Sequence, residues 1–297
     1  MSCLEIGLLT RNHNSWCSSR LINAFLANGV KPFPFSFREI SVNIGMEERF
    51  YVRGSDLTER VSAILVRPIG RGSLEEIIFR LDVLHALGDH GIPVVNSPDA
   101  IEVAANKYRI LSKLRSKGLP VPESMATEDF REASRYFLKI GGDILVKPIF
   151  GSRGVGISKL EDRDVADRIF RTLRFYRHVL LLQRFIPHGT TDVRTFIVGG
   201  RVLAAMRRRG DTWRTNISQG ARAEPFKIPN EMEELSLKAA DALGCEIAGV
   251  DLLEGLEGVK VLEVNSQPGW RGLQSVVKVD IADEIAKYMI KKAKGTA

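Results

Sequence analysis

Three oxygen-bearing side chains near the carboxyl-terminal end of the sequence have the types and spacing of a metal site. Asp251 lies in one short apolar run, and Glu263 and Asn265 lie in the next. The glycines of segment 254–258 predict a hairpin turn between the two runs. Residues two apart in a strand share a face, so Glu263 and Asn265 point the same way, with Asp251 across the hairpin. Two carboxylates and an amide oxygen suit Mg²⁺ shared with substrate phosphates. An acidic, solvated hairpin face explains the same residues.

A lysine near the end of a buried strand leads into a glycine-rich segment. The run 143–148 predicts that strand, with Lys147 close to its end, and Gly151, Gly154 and Gly156 follow. Glycine adopts conformations closed to other residues, so such a turn can aim backbone N–H groups at phosphate oxygens. It is not a Walker A loop, because no Gly-Lys-Ser/Thr follows and no helix begins there. Most glycine-rich turns are only turns, and the lysine is what favours a phosphate site here.

Two arginine-containing segments indicate anionic ligands. Segment 207–220 is the most basic of the chain and contains one tryptophan, Trp213. Nucleic-acid binding would need several interleaved aromatic residues, so the segment favours a pocket for a small polyanion and disfavours nucleic acid. Arg67 and Arg71 lie in a loop after the apolar run 61–66, where open α/β sheets bind ligands. They could hold a carboxylate or phosphate, and a solvated loop explains them equally well.

Composition restricts the class of protein. The 297 residues carry a formal net charge of +7, which favours anionic partners such as nucleotides, polyacids or RNA. The three cysteines are scattered without a CxxC, and the five histidines form no ligand-spaced cluster, which argues against disulfides and a transition-metal site. There is no run of eighteen apolar residues and no signal-peptide pattern. We therefore expect a cytoplasmic protein without a membrane partner.

The order of the elements predicts three domains. Strands at 4–9, 30–37 and 61–66 alternate with helices at 15–28 and 74–90, which indicates a small parallel α/β domain. A helix start at Ser97-Pro98 and an apolar strand ending at Pro187 mark the two boundaries. The helical pattern that begins at Ser97 is expected to run on through Asn106 to Gly118. The predicted domains are 1–96, 97–187 and 188–297. Residues 281–294 predict an amphipathic helix that packs within the chain or, less readily, against a second subunit.

Seven motifs follow one another along the chain: Asn106-Lys107, Val146-Lys147-Pro148 with the glycine loop, Gln183-Arg184-Phe185-Ile186, Asp192-Val193-Arg194, Arg214-Thr215-Asn216, Ala248-Gly249-Val250-Asp251 and Leu262-Glu263-Val264-Asn265. In this order they resemble the RimK-like branch of the ATP-grasp ligases, and the resemblance is strongest from about Asn96 to the end. Four segments, namely 66–70, 147–151, 213–220 and 263–270, more narrowly resemble the archaeal tetrahydromethanopterin:glutamate ligases.

The resemblance implies an α/β and α+β fold of the ATP-grasp type, with an N-terminal α/β domain, a central lid and a C-terminal domain. ATP would lie between the last two. Lys107 and Lys147 would meet the ATP phosphates, and the lid formed by Gly151, Ser152, Gly154 and Gly156 would cover them. The adenine hinge would be Gln183, Arg184, Phe185 and Ile186, and Asp192 would lie near the ribose. Arg214 and Asn216 complete the implied ATP-binding residues. Two Mg²⁺ ions, or Mn²⁺, would bind Asp251, Glu263 and Asn265. Arg184 departs from the family, which usually has glutamate there.

The implied reaction joins a carboxylate to the amine of L-glutamate. A carboxylate is a poor electrophile, so ATP first converts it to an acyl phosphate, which the amine then attacks. The protein must align the γ-phosphate and neutralise its charge, and the resemblance assigns Lys147 and Arg208 as the catalytic residues. No nucleophilic side chain is required. A solvated edge strand explains Arg207 and Arg209.

Three functions remain open at this point. The first is a ligase acting on tetrahydromethanopterin, whose anionic tail the region 208–214 would receive. The second is a glutamate or amino-acid ligase acting on a ribosomal protein C-terminus or an acidic amino-group carrier protein. The third is an ATP-binding module without catalysis. Asp251, Glu263, Asn265 and Lys147 argue against it, because a module that only binds ATP would not need the complete metal set. In every case the partners are anionic, and a homo-oligomer is compatible with the sequence.

Overall fold

The structure is a computed structural model, and it describes residues 4–151 and 154–296. Within these ranges no helix has the length and apolar character needed to cross a membrane. The elements form three main sheets in succession along the chain and one small additional sheet.

A parallel four-stranded sheet forms the N-terminal part, in the order β2-β1-β6-β7. The apolar runs read from the sequence become its buried strands. The small antiparallel sheet β3-β4-β5 was not predicted, because its strands are only two to four residues long. The elements are β1 (Glu5–Leu9), α1 (Trp16–Ala27), β2 (Lys31–Phe35), β3 (Ile40–Asn43), β4 (Arg49–Val52), β5 (Ser55–Asp56), α2 (Leu57–Arg60), β6 (Ala63–Val66), α3 (Leu74–Asp89) and β7 (Val94–Val95).

An antiparallel sheet in the order β10-β9-β11-β8 forms the central part. Two amphipathic helices, α6 and α7, cover it and enclose a separate apolar core. The elements are α4 (Pro98–Ala105), α5 (Lys107–Ser116), β8 (Ser124–Thr127), α6 (Phe130–Lys139), β9 (Ile144–Lys147), β10 (Ser158–Leu160), α7 (Arg163–Phe175) and β11 (Leu180–Arg184).

A five-stranded antiparallel sheet in the order β14-β13-β12-β15-β16 forms the C-terminal part. The predicted hairpin is confirmed, and Asp251 on β15 lies directly opposite Glu263 on β16. The elements are β12 (Thr191–Val198), β13 (Arg201–Arg209), β14 (Arg222–Pro225), α8 (Asn230–Leu243), β15 (Ile247–Gly255), β16 (Gly258–Asn265), α9 (Arg271–Gln274) and α10 (Ile281–Ala293).

The helical region predicted as continuous from Ser97 is interrupted at Asn106. The Asn106 amide N–H closes α4 on Val103 O, and its side chain caps α5 by accepting from the Arg109 N–H at 3.1 Å. An asparagine that caps a helix in extended backbone cannot also continue the helix before it. The interruption makes Lys107 the first residue of α5, at the wall of the cavity described below.

Helix packing crosses the predicted domain boundaries, although each sheet lies within one predicted range. Helices α4 and α5 share an apolar core with α8 and the C-terminal sheet. Helix α10 packs on α1 and the N-terminal sheet. The expectation that 281–294 packs within the chain is therefore confirmed, whereas the domain boundaries at 96/97 and 187/188 stay predictions.

Candidate active site

A cavity with an empty volume of about 830 Å³ lies between the central and C-terminal sheets. Its walls come from β9, β11, β12, β13, β15 and β16, from the start of α5 and from the loop after β13. The fold therefore brings residues from all seven motifs to one place. The predicted site residues that line it are Lys107, Lys147, Gln183, Arg184, Phe185, Ile186, Asp192, Arg208, Arg214, Asn216, Asp251 and Glu263.

Positive charge exceeds negative charge along this lining. Among the described residues that line it, five are lysines or arginines and three are carboxylates. A polyphosphate would bring the missing negative charge. The electrostatics thus match the small polyanion expected from the sequence.

The two lysines approach the cavity from different elements. Lys107 forms an ion pair with Glu263 at 3.1 Å, and its Nζ also donates to the Gly151 carbonyl at 2.5 Å. Lys147, at the end of β9, donates to the Gln183 side chain. Burial lowers the pKa of Lys147 to about 8, although the nearby Glu263 and Asp251 oppose that shift. A buried ammonium that contacts an amide oxygen would gain a stronger partner from a phosphate.

A buried network of two aspartates and two arginines forms the floor. The Asp192 carboxylate accepts from Arg208 Nε at 2.6 Å and from Thr215 Oγ1 at 2.6 Å. The Asp251 carboxylate accepts from Arg194 Nη2 at 2.7 Å and lies 3.0 Å from Arg208 Nη2. Burial disfavours the Asp251 carboxylate, but the two arginines outweigh it and hold the pKa below its usual value. The network keeps Asp251 ionised and fixes the position of Arg208.

Arg194 and Thr215 stand in the quoted motifs, but the sequence assigned neither a role. Arg194 lies opposite Asp251 in the β12–β15 register, so the sheet places the pair. Asp192, expected near the ribose, is 2% exposed and supports Arg208. A position at the ribose stays a prediction for Asp192.

The predicted metal ligands fit a shared magnesium site and not a complete protein cage. Asp251 and Glu263 face each other across the hairpin, and Asn265 follows two residues later, donating Nδ2 to the Gly249 carbonyl at 3.5 Å. Asn265 is not among the cavity-lining residues. In the described part of the chain, no cluster of three histidine, cysteine, aspartate or glutamate side chains could bind a metal. Two carboxylates and an amide oxygen, beside a cavity for phosphates, are a donor set that Mg²⁺ accepts.

An apolar slot lies beside the predicted hinge. Phe185 meets Trp213 edge-on at 5.9 Å between ring centroids. The Arg184 and Phe185 amides are already bonded to Glu123 O and Asp143 O, at 2.8 Å and 3.0 Å. The Ile186 amide has no such partner within the described residues, so it is the hinge donor available to a base. Sequence reasoning missed the slot's apolar walls, which look like ordinary core residues: Leu145, Ile157, Leu181, Leu253 and Leu262.

Arg184, the departure from the family pattern, forms an ion pair with Glu123 at 2.9 Å. This contact lies on the exposed side of β11, since both side chains are about half exposed. The arginine therefore has a carboxylate partner next to the hinge.

The glycine loop joins the antiparallel strands β9 and β10, as predicted. Gly151, Gly154 and Gly156 all have positive φ, which only glycine adopts freely. A Cβ on Gly154 would collide with the Asn216 side chain, so the loop lies against the segment after β13. Ser152, predicted to bind ATP, lies outside the described residues. The three glycines do not line the cavity themselves.

The basic segment is more neutralised than its sequence indicates. Arg207 pairs with Glu254 at 2.8 Å and Arg209 with Glu224 at 2.7 Å, whereas Arg208 turns inward to the aspartates. The edge-strand explanation of Arg207 and Arg209 is wrong, because β13 lies between β12 and β14. Arg214, stacked 4.4 Å from the Trp213 ring centroid, has no carboxylate partner among the described residues.

Residues 104–289, more than half of the chain, match the RimK-like ATP-grasp domain. The chain belongs to the RimK-like ATP-grasp family. This ATP-grasp protein is 31% identical to the tetrahydromethanopterin:alpha-L-glutamate ligase of Methanosarcina acetivorans, over 96% of this chain and 98% of that protein. It is 38% identical to the protein of the same name from Methanocaldococcus jannaschii, over 85% of this chain and 86% of that one.

Among solved structures, the ATP-grasp ligase PsnB complexed with minimal precursor, Mg and ADP has a TM-score of 0.76 and 25% identity, covering 98% of each chain. The predicted ATP-grasp fold and the class of ADP-forming carboxylate–amine ligase are confirmed. ATP as the nucleotide and Mg²⁺ as the metal of this ATP-grasp protein are also confirmed in general terms.

Proposed function

We propose that this chain joins L-glutamate, through its amine, to a carboxylate of a tetrahydromethanopterin-type pterin. Two observations support this proposal. Relatives named tetrahydromethanopterin:alpha-L-glutamate ligase match along most of the chain, and the cavity combines the groups that the reaction needs. The observation that carries the proposal is the placement of Lys147 and Arg208 in one cation-rich cavity with the Asp251–Glu263 pair.

In this proposal the adenine occupies the apolar slot and meets the free Ile186 amide. The phosphates extend past Lys147 and Lys107, whose present partners are Gln183, Gly151 O and Glu263. Arg214 and Asn216 complete the phosphate surroundings from the loop after β13. Asp251, Glu263 and Asn265 would hold Mg²⁺, or Mn²⁺, as two ions that neutralise phosphate charge and polarise the γ-phosphoryl group.

The acceptor carboxylate oxygen attacks the γ-phosphorus, and the bond to the ADP oxygen breaks. The glutamate amine then attacks the acyl carbon, loses a proton and expels inorganic phosphate. Arg208 supports the negative charge of the acyl phosphate, since Asp192 and Asp251 engage its Nε and Nη2 and fix the guanidinium. Lys147 holds the transferring phosphoryl oxygens in line.

A protein acceptor is the second candidate. PsnB, which has this fold, was solved in complex with a precursor peptide, so in that protein a ligase of this fold binds a peptide. A ribosomal protein C-terminus or an acidic carrier protein would then replace the pterin, with the same cavity chemistry.

The deciding experiment measures phosphate release from Mg-ATP with L-glutamate and each acceptor: a tetrahydromethanopterin-type pterin, a ribosomal C-terminal peptide and an acidic carrier protein. We expect turnover with the pterin and a product heavier by one or more glutamyl residues. Glu263→Ala should reduce kcat about a hundredfold, the usual effect of losing one group that stabilises the transition state. Glu257→Ala removes an exposed carboxylate from the turn of the same hairpin and should leave kcat unchanged. Turnover only with a protein acceptor would establish the second candidate.

A further inference from the structure

A second cavity, with an empty volume of about 600 Å³, lies in the N-terminal part of the protein. It opens at the carboxyl ends of the parallel strands β1, β2 and β6, the edge where open α/β sheets bind ligands. In the described part of the chain, its lining contains no carboxylate and five arginines: Arg11, Arg38, Arg67, Arg71 and Arg80. Arg67 and Arg71, whose loop the sequence explained equally well as a ligand loop or as a solvated loop, both line this cavity.

Two of the five arginines have structural contacts. Arg80 is buried and donates to the carbonyls of Ile69 and Arg71, each at 3.0 Å, and to Glu76 at 2.9 Å. It holds the loop after β6 in shape. Arg67 is 6% exposed and donates Nη2 to the Pro268 carbonyl at 3.0 Å.

The positive charges of the other three arginines are not neutralised by a carboxylate of the described residues. Arg11, Arg38 and Arg71 are exposed, and none forms an ion pair with a carboxylate of the described residues. The Arg11 side chain lies against Gly70, whose φ of +88° and lack of a Cβ leave room for it. Three unpaired guanidinium groups around one cavity repel each other, so an anion with two or more charges would stabilise the arrangement.

The Arg67–Pro268 contact joins this cavity to the active site. Pro268 follows the proposed metal ligand Asn265 by three residues, and three residues span at most about 11 Å. The Arg67 guanidinium also lies 4.9 Å from the ring centroid of Trp270, in the same segment. A ligand held by the arginines would thus lie next to the loop that follows the Glu263–Asn265 strand.

We propose that the arginine cavity binds the anionic tail of the carboxylate acceptor, a phosphate ester or a group of carboxylates, while the reacting carboxylate reaches the first cavity. This inference rests on the proposed ligase function and assigns the acceptor's binding site. The sequence analysis expected region 208–214 to receive this anionic tail, and the proposal assigns the tail to the arginine cavity instead. In that region, Arg208 and Arg209 already pair with Asp192 and Glu224.

The first test measures binding without turnover. Calorimetry with the full-length protein and saturating Mg-ADP compares 3-phosphoglycerate, with one phosphate and one carboxylate, against tricarballylate, with three carboxylates. The variant Arg38→Gln/Arg71→Gln removes two exposed charges, and the control Arg115→Gln/Arg163→Gln removes two exposed charges on α5 and α7. We expect at least one anion to bind the wild type and the control equally, and to bind the cavity variant at least tenfold more weakly.

The stronger of the two anions identifies the tail as a phosphate ester or a carboxylate group. Equal affinity in the cavity variant and the control would overturn the proposal, as would no binding of either anion to the wild type. Thermal melting of both variants confirms that they fold.

The second test measures steady-state kinetics with the acceptor that turns over. The cavity variant should raise the acceptor KM about tenfold and leave the KM for ATP and kcat unchanged, a pattern that a general structural defect would not give. An unchanged acceptor KM would overturn the tail site and leave the ligase function standing. Binding of anions by the arginines without turnover of any acceptor would instead remove the ligase function, and with it the assignment of the cavity to an acceptor.

Discussion

The buried pair of Asp192 and Arg208 gives a sharp prediction, because an exposed pair on the neighbouring residue provides its control. In the wild type, Arg208 contacts Asp192 through both Nε and Nη2, and the Asp192 and Arg208 side chains are 3% and 5% exposed. Asp192→Asn removes the charge of this partner. Removing one partner of a buried pair costs about 3–5 kcal/mol. Asp251 remains 3.0 Å from Arg208, so we expect the low end, about 3 kcal/mol.

The matched control is Glu224→Gln. It removes the partner of Arg209, the next residue of β13, where the side chains are 50% and 38% exposed and water screens the pair. Differential scanning calorimetry should show a Tm lower by roughly 6 °C for Asp192→Asn, at about 2 °C per kcal/mol for a chain of this size, and almost no change for Glu224→Gln. Phosphate release should fall about a hundredfold only in Asp192→Asn, because Arg208 loses its orientation. Equal Tm shifts in the two variants would refute the assignment of a buried, position-fixing network.

Two further predictions concern a lysine and an asparagine. Burial lowers the pKa of Lys147 to about 8, so its ammonium is lost from the free protein as the pH rises through 8. The Kd for ADP, measured by calorimetry in EDTA, should therefore rise above pH 8 by up to about tenfold per pH unit. Lys147→Met should abolish that pH dependence. A wild-type Kd that stays constant from pH 7 to 9.5 would contradict the expectation. Asn96 is 1% exposed, donates to Ile247 O at 2.7 Å and accepts from the amides of Glu246 and Ile247 at 2.8 Å and 2.9 Å. Asn96→Ala should destabilise the protein by about 2–4 kcal/mol in urea unfolding because buried backbone groups lose partners; a loss below about 1 kcal/mol would show that they find others.

The sequence predicted the elements that short-range rules control. The hairpin of Asp251 and Glu263 follows from alternating apolar residues and a glycine turn, and the structure places the two residues opposite each other. The strand ending at Lys147 and the N-terminal strands were recognised in the same way. The break at Asn106 was missed because an asparagine within a helical pattern looks like a solvated position until its capping contact is seen.

The sequence by itself thus determined the local chemistry: which residues carry charge, which strands carry them and which family they belong to. Only the tertiary structure decided their partners. Arg194 meets Asp251 from a position 57 residues away, and Arg67 meets Pro268 across 201 residues, through sheet register and the packing of distant segments. Propensity and alternation act over a few residues, whereas the partner of a buried charge depends on which distant segment excludes water from it. For the same reason, arginines that look alike along the chain became an inward support at Arg208, a surface pair at Arg209 and an anion cavity around Arg38 and Arg71.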